Sequence, residues 1–550
     1  MGIYEEFTTG KNEARFDSIG DLCRGKVKYS LKTKRYEDLK DINPLLLSGG
    51  YGGLPLAWDA DTQNVFVDSS DAHSLIIGST GAKKSRLVAI PTVLLLSKAG
   101  ESLIVSDPKA EIYKRTAKEL EKNGYRVCTI NLREPSFGSS WNPLNIPFEF
   151  YCNGEVDKAH EFINDIAFNL MLGDDKRRSN DPFWDNSSYD LLFGLILLLI
   201  KYCIASNQHK TVTIENILRL SREIIQRNTH DSITLNNDIF SFAQDNDILA
   251  SKLYGLEVAA PQTQMSILTS FTAAMNCFIL NDKLTAMLSH NDIDLSEVGS
   301  KKTAIFLIVP DEKSTYHKLA SMFIKQSYEY FIYLAQKKHE GKLPLRINYV
   351  LDEFSALPTI SDFPNMITAA RSRNIRFNLF IQSQEQLLRH YPLDSSTIKS
   401  NCINWIFLHS RENSLLAEIS GLCGMKLGKP LLSINALQQL DKEKGQVLIM
   451  SNRAAPTLSF LPDISLYDND KFEVLQDKNR KNRSTPKTDF SKFKDLNKLR
   501  EKDDFSQNIP KIDFSRFIES SNWDEKINSS IPITEIDLPK IEIIENKQED

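Results

Sequence analysis

Patterned cysteine is the first thing that this sequence lacks. Seven cysteines occur in 550 residues, and none stands in a CxxC pair or at a histidine-linked spacing. This excludes a zinc knuckle and a disulfide framework, and it is typical of reduced cysteines in a cytosolic protein.

A charge excess is also missing, because 67 basic residues stand against 72 acidic ones, a net charge of −5. The whole chain therefore does not attract nucleic acid, and any such contact needs a local basic surface.

A long hydrophobic segment is missing too. The opening residues, MGIYEEFTTG, include acidic side chains and no apolar core, which excludes a signal peptide. The most apolar run, LLFGLILLLI at 191–200, stops at Lys201 and is shorter than a membrane span. We therefore expect a buried core helix there and no membrane-crossing segment.

What the sequence has is a series of short apolar runs bounded by turn residues or charges, which predict strands buried on both faces. Helical stretches such as residues 318–342 alternate with them. This alternation predicts the α/β class with a mainly parallel sheet. The predicted strands are 74–79, 102–107, 125–132, 303–310, 347–354, 375–383, 403–410 and 445–452.

Changes in pattern along the chain predict its domains. Residues 1–70 are expected to form a small leader that packs on the core. The sheet is expected to be discontinuous, with its strands in 71–149 and 291–470. Between them, residues 150–290 show apolar residues at helical spacing and predict an all-helical inserted domain. Residues 471–550 are polar, Lys/Asp-rich and punctuated by proline, which predicts a disordered tail.

A short phrase recurs in the predicted tail. It reads DFSKF at 489–493 and DFSRF at 513–517, with a partial DFS at 504–506. Chance in low-complexity sequence is the simpler explanation, and a docking motif is the alternative.

One loop carries the chemistry of phosphate binding. The octapeptide GSTGAKKS follows the predicted strand SLII and precedes a helical stretch, the context that a phosphate-binding loop requires. Successive backbone N–H groups and the following helix N-terminus would face a triphosphate, with a lysine for the β- and γ-phosphates and a hydroxyl for magnesium. A glycine-rich turn without a ligand is the alternative. The predicted nucleotide-binding residues are Gly78, Ser79, Thr80, Gly81, Ala82, Lys83, Lys84 and Ser85.

Lys83 is the departure from the motif. Its position normally holds glycine, so that the backbone can bend close to phosphate. A lysine there still donates its own N–H, and its charge favours a polyphosphate. We therefore expect a modified site, with Lys84 and Ser85 in the motif's binding positions.

An acidic strand end supplies the second half of the predicted site. The run NYVLDEF places Asp352 and Glu353 at the end of an apolar strand. In a parallel sheet such an end faces the ligand crevice, so Asp352 can hold the magnesium shell while Glu353 orients or deprotonates an attacking water. Gln382 closes another predicted strand, where a polar group could sense the γ-phosphate or could be an ordinary strand cap.

Other charged residues near strand ends are weaker candidates. Arg371, Arg373 and Arg376 precede the strand of Gln382 and could supply an arginine finger to a neighbouring subunit, or could lie on a solvated helix end. The triplet Asp107-Pro108-Lys109 also closes a predicted strand and could be an ordinary strand cap.

Several motifs follow one another in a characteristic order. They are HSLIIGSTGAKKSRLVAIPTVLL, VSDPKAEIYKRT, WNPLN, DPFWDNSSYDLL, LDEFSALP and ARSRNIRFNLFIQSQEQL, spread over about residues 50–460. In this order the chain resembles the coupling ATPases of conjugation and type IV secretion, the TraG/VirD family. The resemblance implies a RecA-like P-loop NTPase core with an all-helical inserted domain, working as a hexameric ring on ATP and Mg²⁺.

The same resemblance implies partners and roles. Lys84 and Ser85 would bind ATP and magnesium, Asp352 and Glu353 would support hydrolysis, and Gln382 would match the glutamine that follows. The expected cargo is relaxase-bound DNA, delivered to the membrane channel of a secretion system. The family usually carries N-terminal transmembrane helices. Their absence here implies a cytoplasmic protein that a membrane adaptor or channel partner recruits to the inner face of the membrane.

Two alternatives stay open at the sequence level. One is a nucleotide-binding recruitment platform with little ATP turnover, which Lys83 favours and Glu353 opposes. The other is a DNA pump of another process that uses the same motor. DNA contacts are expected at phosphates, with basic stretches at 174–180 and 283–288 as candidates, although each also reads as a solvated basic face.

Overall fold

The computed structural model of this chain describes residues 52–59, 64–173, 181–227, 233–310, 312, 316–426, 428–451, 454–466 and 484–500. Four predictions therefore lie wholly or mostly outside the described residues. They concern the leader before residue 52, the basic stretch 174–180, the tail apart from residues 484–500, and the DFS phrases at 504–506 and 513–517.

A nine-stranded sheet forms the centre of the described chain, in the order β15-β14-β11-β3-β10-β9-β4-β8-β5. The strands from β11 to β5 in that order are parallel, and β14 and β15 join one edge antiparallel. The strands of this sheet are β3 His73–Gly78, β4 Ser102–Ser106, β5 Arg126–Asn131, β8 Thr303–Ile308, β9 Ile347–Leu351, β10 Ile375–Ile381, β11 Cys402–His409, β14 Gln446–Ser451 and β15 Ala454–Phe460.

The predicted α/β class with a mainly parallel sheet is confirmed. Strands β3, β4, β8, β9 and β10 are buried along their whole length, because helices cover both faces. The helices that follow or connect these strands are α1 Ile90–Ala99, α2 Glu111–Lys122, α12 His317–Lys338, α13 Phe363–Ala369, α14 Gln384–His390, α15 Ser395–Asn401, α16 Asn413–Cys423 and α17 Ile434–Gln438.

Two pairs of strands lie beside this sheet. The hairpin β1 Leu54–Asp59 with β2 Asn64–Asp68 contacts β15, where Ser459 Oγ donates a hydrogen bond of 2.6 Å to Leu56 O. A second hairpin joins β12 Met425–Lys426 to β13 Lys429–Pro430. The described part of the predicted leader thus packs on the sheet edge.

The chain between β5 and β8 is mostly helical. Its helices are α3 Asn145–Cys152, α4 Val156–Met171, α5 Pro182–Ala205, α6 Ile214–Glu223, α7 Asn237–Ala243, α8 Asp247–Glu257, α9 Pro261–Ala274, α10 Asn276–Ile279 and α11 Asp282–Met287. It also contains an antiparallel pair, β6 Ile225–Arg227 with β7 Ile233–Leu235, and so it differs from the all-helical prediction. Strands this short leave no alternation in sequence that pattern analysis could detect.

Helix α5 contains the most apolar run of the chain. Among the described residues it is the helix long and apolar enough to cross a membrane, yet 72% of its most apolar 18-residue window is buried inside the protein. It packs against α4, α8 and α9. The run therefore forms the core of the helical region, as its length predicted.

Part of the predicted tail is ordered. Residues 484–500 pack against the helical region, and their last portion forms helix α18, Phe493–Arg500. The disorder prediction is wrong for this stretch, because average composition conceals two aromatic residues. Phe493 is buried, and Phe490 stacks against it at a centroid distance of 6.2 Å.

Candidate active site

The predicted phosphate loop links β3 to the helical stretch that leads into α1. Gly78 leaves little room for a side chain, since a Cβ there would lie 3.0 Å from Lys84 Cγ and 3.1 Å from Ala82 Cβ. Ala82 N donates to Ser79 O at 3.0 Å and closes the turn. The helix begins at Lys84 with one π turn, Ser85–Ala89, before α1. The strand-loop-helix geometry that phosphate binding requires is therefore present.

Two remote segments hold the loop in place. Ser79 N donates to His409 O at 2.9 Å, at the end of β11. Arg86 binds Asp463 through two hydrogen bonds, Nε to Oδ2 at 2.9 Å and Nη2 to Oδ1 at 2.5 Å, and this pairing lowers the pKa of Asp463 to about 2. The start of the loop is thus attached to the end of β11, and the turn that follows the loop is attached to the segment after β15.

Lys83 has a backbone conformation that favours glycine. Its φ is 61°, in the left-handed region, which costs a residue with a side chain roughly 1 kcal/mol. Its Nζ lies 2.5 Å from Glu443 Oε2, so the side chain ends at a carboxylate outside the loop. The loop keeps its bend despite the lysine.

Lys84 points into the site. Its side chain is only 7% exposed, and its Nζ donates to Gly78 O at 2.6 Å. Glu353 Oε1 lies 4.0 Å from the same nitrogen. Burial lowers the pKa of Lys84, while the charges of Glu353 and Asp352 act in the opposite direction. The amine therefore faces both the loop carbonyl and the acidic strand end.

Asp352 and Glu353 follow directly on β9. Burial raises the pKa of Asp352 to about 7, and the charge of the adjacent Glu353 adds to this rise. The charge of Lys84 acts in the opposite direction. Glu353 lies at the turn that ends the strand and has a φ of 53°, so it is a second non-glycine residue in the left-handed region. Two carboxylates held this close favour a nearby cation.

Gln382 joins the two halves of the site. Its Nε2 donates to Glu353 Oε2 at 2.7 Å, and its Oε1 accepts from Thr80 Oγ1 at 2.9 Å. The structure therefore brings the predicted loop residues, both acids and the glutamine together. Their catalytic and binding roles stay predictions.

A small cavity lies beside these strand ends. Its volume is about 100 Å³, which suits ordered water molecules rather than a nucleotide. Its lining residues are Ser106, Pro108, Lys109, Val309, His317, Asp352, Glu353, Ala356, Leu357 and Gln382. Water held there would lie next to Glu353 and Gln382.

The donor set suits magnesium more than a metal that binds protein alone. Within the described ranges, no group of three or more His, Cys, Asp or Glu side chains could hold a metal ion. The Ser85 hydroxyl and the Asp352 carboxylate are oxygen donors, and Mg²⁺ typically binds one or two protein oxygens, with phosphates and water completing its shell.

The predicted arginine fingers lie elsewhere. They precede β10, whereas the loop follows β3, and the two strands run parallel, so the arginines lie at the opposite edge of the sheet. Arg371 pairs with Asp71 there at 3.1 Å. Within one chain they do not reach the loop, and action of Arg371 or Arg373 on a neighbouring copy stays a prediction.

The prediction that Arg376 could supply an arginine finger is wrong, because this residue has a structural role. It is 2% exposed, and its guanidinium binds Glu101 Oε2, Asn348 Oδ1 and the carbonyls of Asp68 and Ser70. A side chain committed in this way cannot reach another subunit. In sequence it was indistinguishable from its neighbours, since a basic cluster beside a strand does not show which member turns inward.

Sequence reasoning missed two residues that shape the site and left a third ambiguous. Glu443 lies in a polar loop without a motif, and nothing in the sequence connects it with Lys83. His409 ends a predicted strand and contacts Ser79 Oγ through Nδ1 at 3.1 Å, so the strand-end rule could have found it. Asp107 accepts from Glu111 N at 3.0 Å and from Tyr113 N at 2.8 Å, so it caps the first turn of α2, whereas the simpler interpretation was a strand cap.

Solved structures of conjugative coupling proteins share this fold. The coupling protein TrwBdeltaN70, in complex with sulphate, superposes with a TM-score of 0.55 and 13% identity over 85% of this chain and 95% of that one. TrwB in complex with ADP and Mg²⁺ gives 0.54 and 14% identity, again over 85% and 95%. The RecA-like P-loop fold that the motifs implied is confirmed.

Curated relatives agree with the structures. The type IV secretion system-coupling protein VirD4 of Bartonella quintana is 22% identical over 344 residues, which cover 59% of this chain and 48% of the relative. That of Bartonella henselae is 21% identical over the same shares. The chain thus spans about half the length of the curated relatives it matches. A family model described as type IV secretory system conjugative DNA transfer matches residues 24–428, most of the chain, which therefore belongs to that family.

Proposed function

We propose that the protein is an ATPase that couples conjugative DNA transfer to type IV secretion, recruiting a relaxase–DNA complex and delivering it to a membrane channel. One observation carries the enzymatic part. A continuous series of contacts runs from Thr80 in the loop through Gln382 and Glu353 to Lys84. Such a series connects phosphate binding to the acidic strand end, as hydrolysis requires.

ATP and Mg²⁺ are the ligands that fit these residues. TrwB, which has the same fold, was solved with the non-hydrolysable analogue ADPNP and with ADP and Mg²⁺. A phosphate oxygen would offer Lys84 a charge-assisted partner, which is stronger than the Gly78 carbonyl that it now contacts. Ser85 and Asp352 would hold the magnesium, whose charge neutralises the phosphate oxygens.

Glu353 and Gln382 would act on the attacking water. Glu353 lines the small cavity and is held by Gln382, so its carboxylate is oriented before the nucleotide arrives. Gln382 also touches the loop through Thr80, and a shift of the loop on γ-phosphate binding would reach Glu353 through it. Turnover would thus depend on a correctly filled loop.

The test is DNA-stimulated ATP hydrolysis by the purified chain. We expect Lys84→Ala to abolish nucleotide binding and Glu353→Gln to retain binding while its rate falls roughly 10²–10³-fold, the usual cost of removing one preorganised catalytic group. Lys122→Ala is the matched control, because Lys122 lies on the surface of α2 at 62% exposure. Equal activity in all four proteins would end the motor interpretation.

A platform that binds ATP with little turnover is the second candidate. It is favoured by Lys83, whose left-handed backbone and pairing with Glu443 add constraints that glycine would not impose. We expect Lys83→Gly to raise the hydrolysis rate severalfold if the native loop is tuned for slow turnover. An unchanged low rate in both proteins would favour the platform without any role for Lys83.

Cargo, assembly and membrane recruitment belong to the same proposal. We expect a homo-hexamer that is recruited from the cytoplasm by an adaptor or channel protein, with Arg371 and Arg373 acting on a neighbour's nucleotide. Mass measurement with and without ATP and single-stranded DNA tests this, because a fixed monomer contradicts a ring motor. The third alternative, a DNA pump of another process, is decided by neighbouring genes, since a relaxase and channel components indicate transfer.

A further inference from the structure

A groove in the helical region holds a segment of the chain's own C-terminal part. We call the residues Pro486–Phe493 the first phrase. The groove is formed by Tyr202, Gln208, Asn216, Arg219 and Phe242, and all five contact the first phrase. These contacts show which chemistry the groove accepts.

The groove binds the backbone of the first phrase on one side. Asn216 Nδ2 donates to Pro486 O at 2.7 Å, and its Oδ1 accepts from Thr488 N at 3.0 Å. Gln208 repeats this arrangement one step on, since its Oε1 accepts from Asp489 N at 2.8 Å and its Nε2 donates to Asp489 O at 3.1 Å. Each amide thus satisfies a donor and an acceptor of an extended peptide, a requirement that fixes conformation rather than side chains.

Side chains supply the specificity. Phe493 is 3% exposed and lies 4.0 Å from the Tyr202 ring centroid and 5.4 Å from that of Phe242. Phe490 packs under the Arg219 guanidinium at 5.6 Å. Asp489 Oδ1 accepts from Ser491 N at 3.0 Å and caps the turn that positions both rings. The groove therefore contacts the side chains of two phenylalanines, and Asp489 and Ser491 set their spacing through the turn that they form within the phrase.

The sequence contains this selected pattern twice. The first phrase reads PKTDFSKF, and Pro510–Phe517, the second phrase, reads PKIDFSRF. Both phenylalanines that the groove contacts recur at the same spacing in the second phrase. Of the two positions that differ, Lys492 is exposed and becomes Arg516. The buried Thr488 becomes the larger Ile512, which removes a 3.4 Å hydrogen bond to Thr211 O and a side-chain hydrogen bond with Cys203.

We propose that the second phrase is an alternative ligand of the same groove and binds there when the first phrase leaves. Six identical residues in a stretch of eight, including both phenylalanines and the aspartate that caps the turn, are not expected from chance in polar sequence. The first phrase has one advantage, because helix α18 continues from it and Asn497 Nδ2 donates to Asp238 O at 2.7 Å. The residue at the corresponding position after the second phrase is a serine, Ser521. This inference does not rest on the proposed function.

The exchange can be measured on the full chain by hydrogen–deuterium exchange. In Phe493→Ala we expect the amides of 486–493 to lose protection, those of 510–517 to gain it, and the groove to remain protected. In Phe493→Ala/Phe517→Ala the groove should lose protection as well. Lys492→Ala, at an exposed position of the same phrase, should match the wild type. Dilution shows whether the bound phrase belongs to the same chain or to a second copy. Protection by a phrase of the same chain is independent of protein concentration, whereas protection by a second copy falls on dilution.

A peptide binding measurement covers the case in which Phe493→Ala disturbs the fold. A labelled peptide of residues 510–517 is titrated into the Phe493→Ala/Phe517→Ala chain. We expect saturable binding, a loss of at least about tenfold for the peptide with Phe517→Ala and less than about twofold for Arg516→Ala. If 510–517 gains no protection, or if the Phe517→Ala peptide binds equally well, the proposal is wrong.

Discussion

The two ends of the parallel strands differ in how their buried charges are paired. We call the side of the sheet where these strands begin the first edge, and the side where they end the second edge. At the edge where the parallel strands begin, Arg376 binds the carboxylate of Glu101 at 3.1 Å and the amide of Asn348 at 2.7 Å. At the edge where they end, Asp352 lies buried beside Glu353, and the partner amine of Lys84 is 4.0 Å from the latter.

The difference separates structure from function within one sheet. At the first edge, Arg376 and Glu101 are paired within a hydrogen-bond network that fixes the chain. At the second edge, the Asp352 carboxylate is desolvated and lies beside a second carboxylate, an arrangement that favours a cation and is typical of functional sites. Variants at each edge should therefore fail in different assays.

The largest expected effect is on stability, at the first edge. Arg376→Ala should lower the free energy of unfolding by roughly 3 kcal/mol, because Glu101 would lose one of its two arginine partners in a buried environment. Denaturant titration measures this. Arg373→Ala is the control, since Arg373 is half-buried and its Nη1 bonds only to the adjacent Ser372 hydroxyl, and a similar loss in both would erase the distinction.

The next effect is a pH dependence at the same edge. Burial lowers the pKa of His73 to about 4, although its Nε2 lies 2.8 Å from Ile367 O. A histidine whose pKa is lower in the folded state favours folding while neutral, so stability should fall by roughly 2–3 kcal/mol as the pH drops from 6.5 to 4. Exchange of the imidazole C2 hydrogen gives the pKa directly. A midpoint near 6.5, that of the urea-unfolded chain, would refute the prediction.

At the second edge the expected effect is on rate. Gln382→Ala removes hydrogen bonds to Glu353 and Thr80, and hydrogen bonds to charged groups contribute about 1.5–3 kcal/mol, so kcat should fall roughly 10–100-fold. Denaturant stability should barely change. Gln386→Ala controls for side-chain loss, because Gln386 accepts from Ser355 outside the contact series. A drop in stability without a drop in rate would place Gln382 with the first edge.

The smallest effect concerns the loop backbone. Lys83→Gly relieves a φ of 61° but adds freedom to the unfolded chain, so the free energy of unfolding should change by less than about 1 kcal/mol. Glu443→Ala isolates the ion pair, which is exposed on the glutamate side and contributes less than about 1 kcal/mol. A loss above about 2 kcal/mol in either variant would make Lys83 a structural residue.

Much of this sheet could be predicted from the sequence, because its parallel strands are buried on both faces and appear as continuous apolar runs. The loop, Asp352, Glu353 and Gln382 were found as polar residues at the ends of such runs, and one topology rule brought them to a common edge. That rule needs no knowledge of side-chain contacts.

Contacts between distant loops could not be predicted in this way. Glu443 meets Lys83 through a turn before β14, and Arg376 is distinguished from Arg373 only by the direction of its side chain in β10. The docked first phrase was concealed by the polar composition around it, since its order depends on two phenylalanines and on backbone hydrogen bonds to the groove, which composition does not show.

The attachments of the phosphate loop have a consequence for the order in which the chain folds during synthesis. Ser79, Lys83 and Arg86 are each bound to residues that leave the ribosome hundreds of positions later, at His409, Glu443 and Asp463. Contacts of such high sequence separation form late. A nascent or truncated chain that ends before β11 would carry the complete octapeptide and still lack a shaped loop, so nucleotide binding reports that the last strands of the sheet have docked.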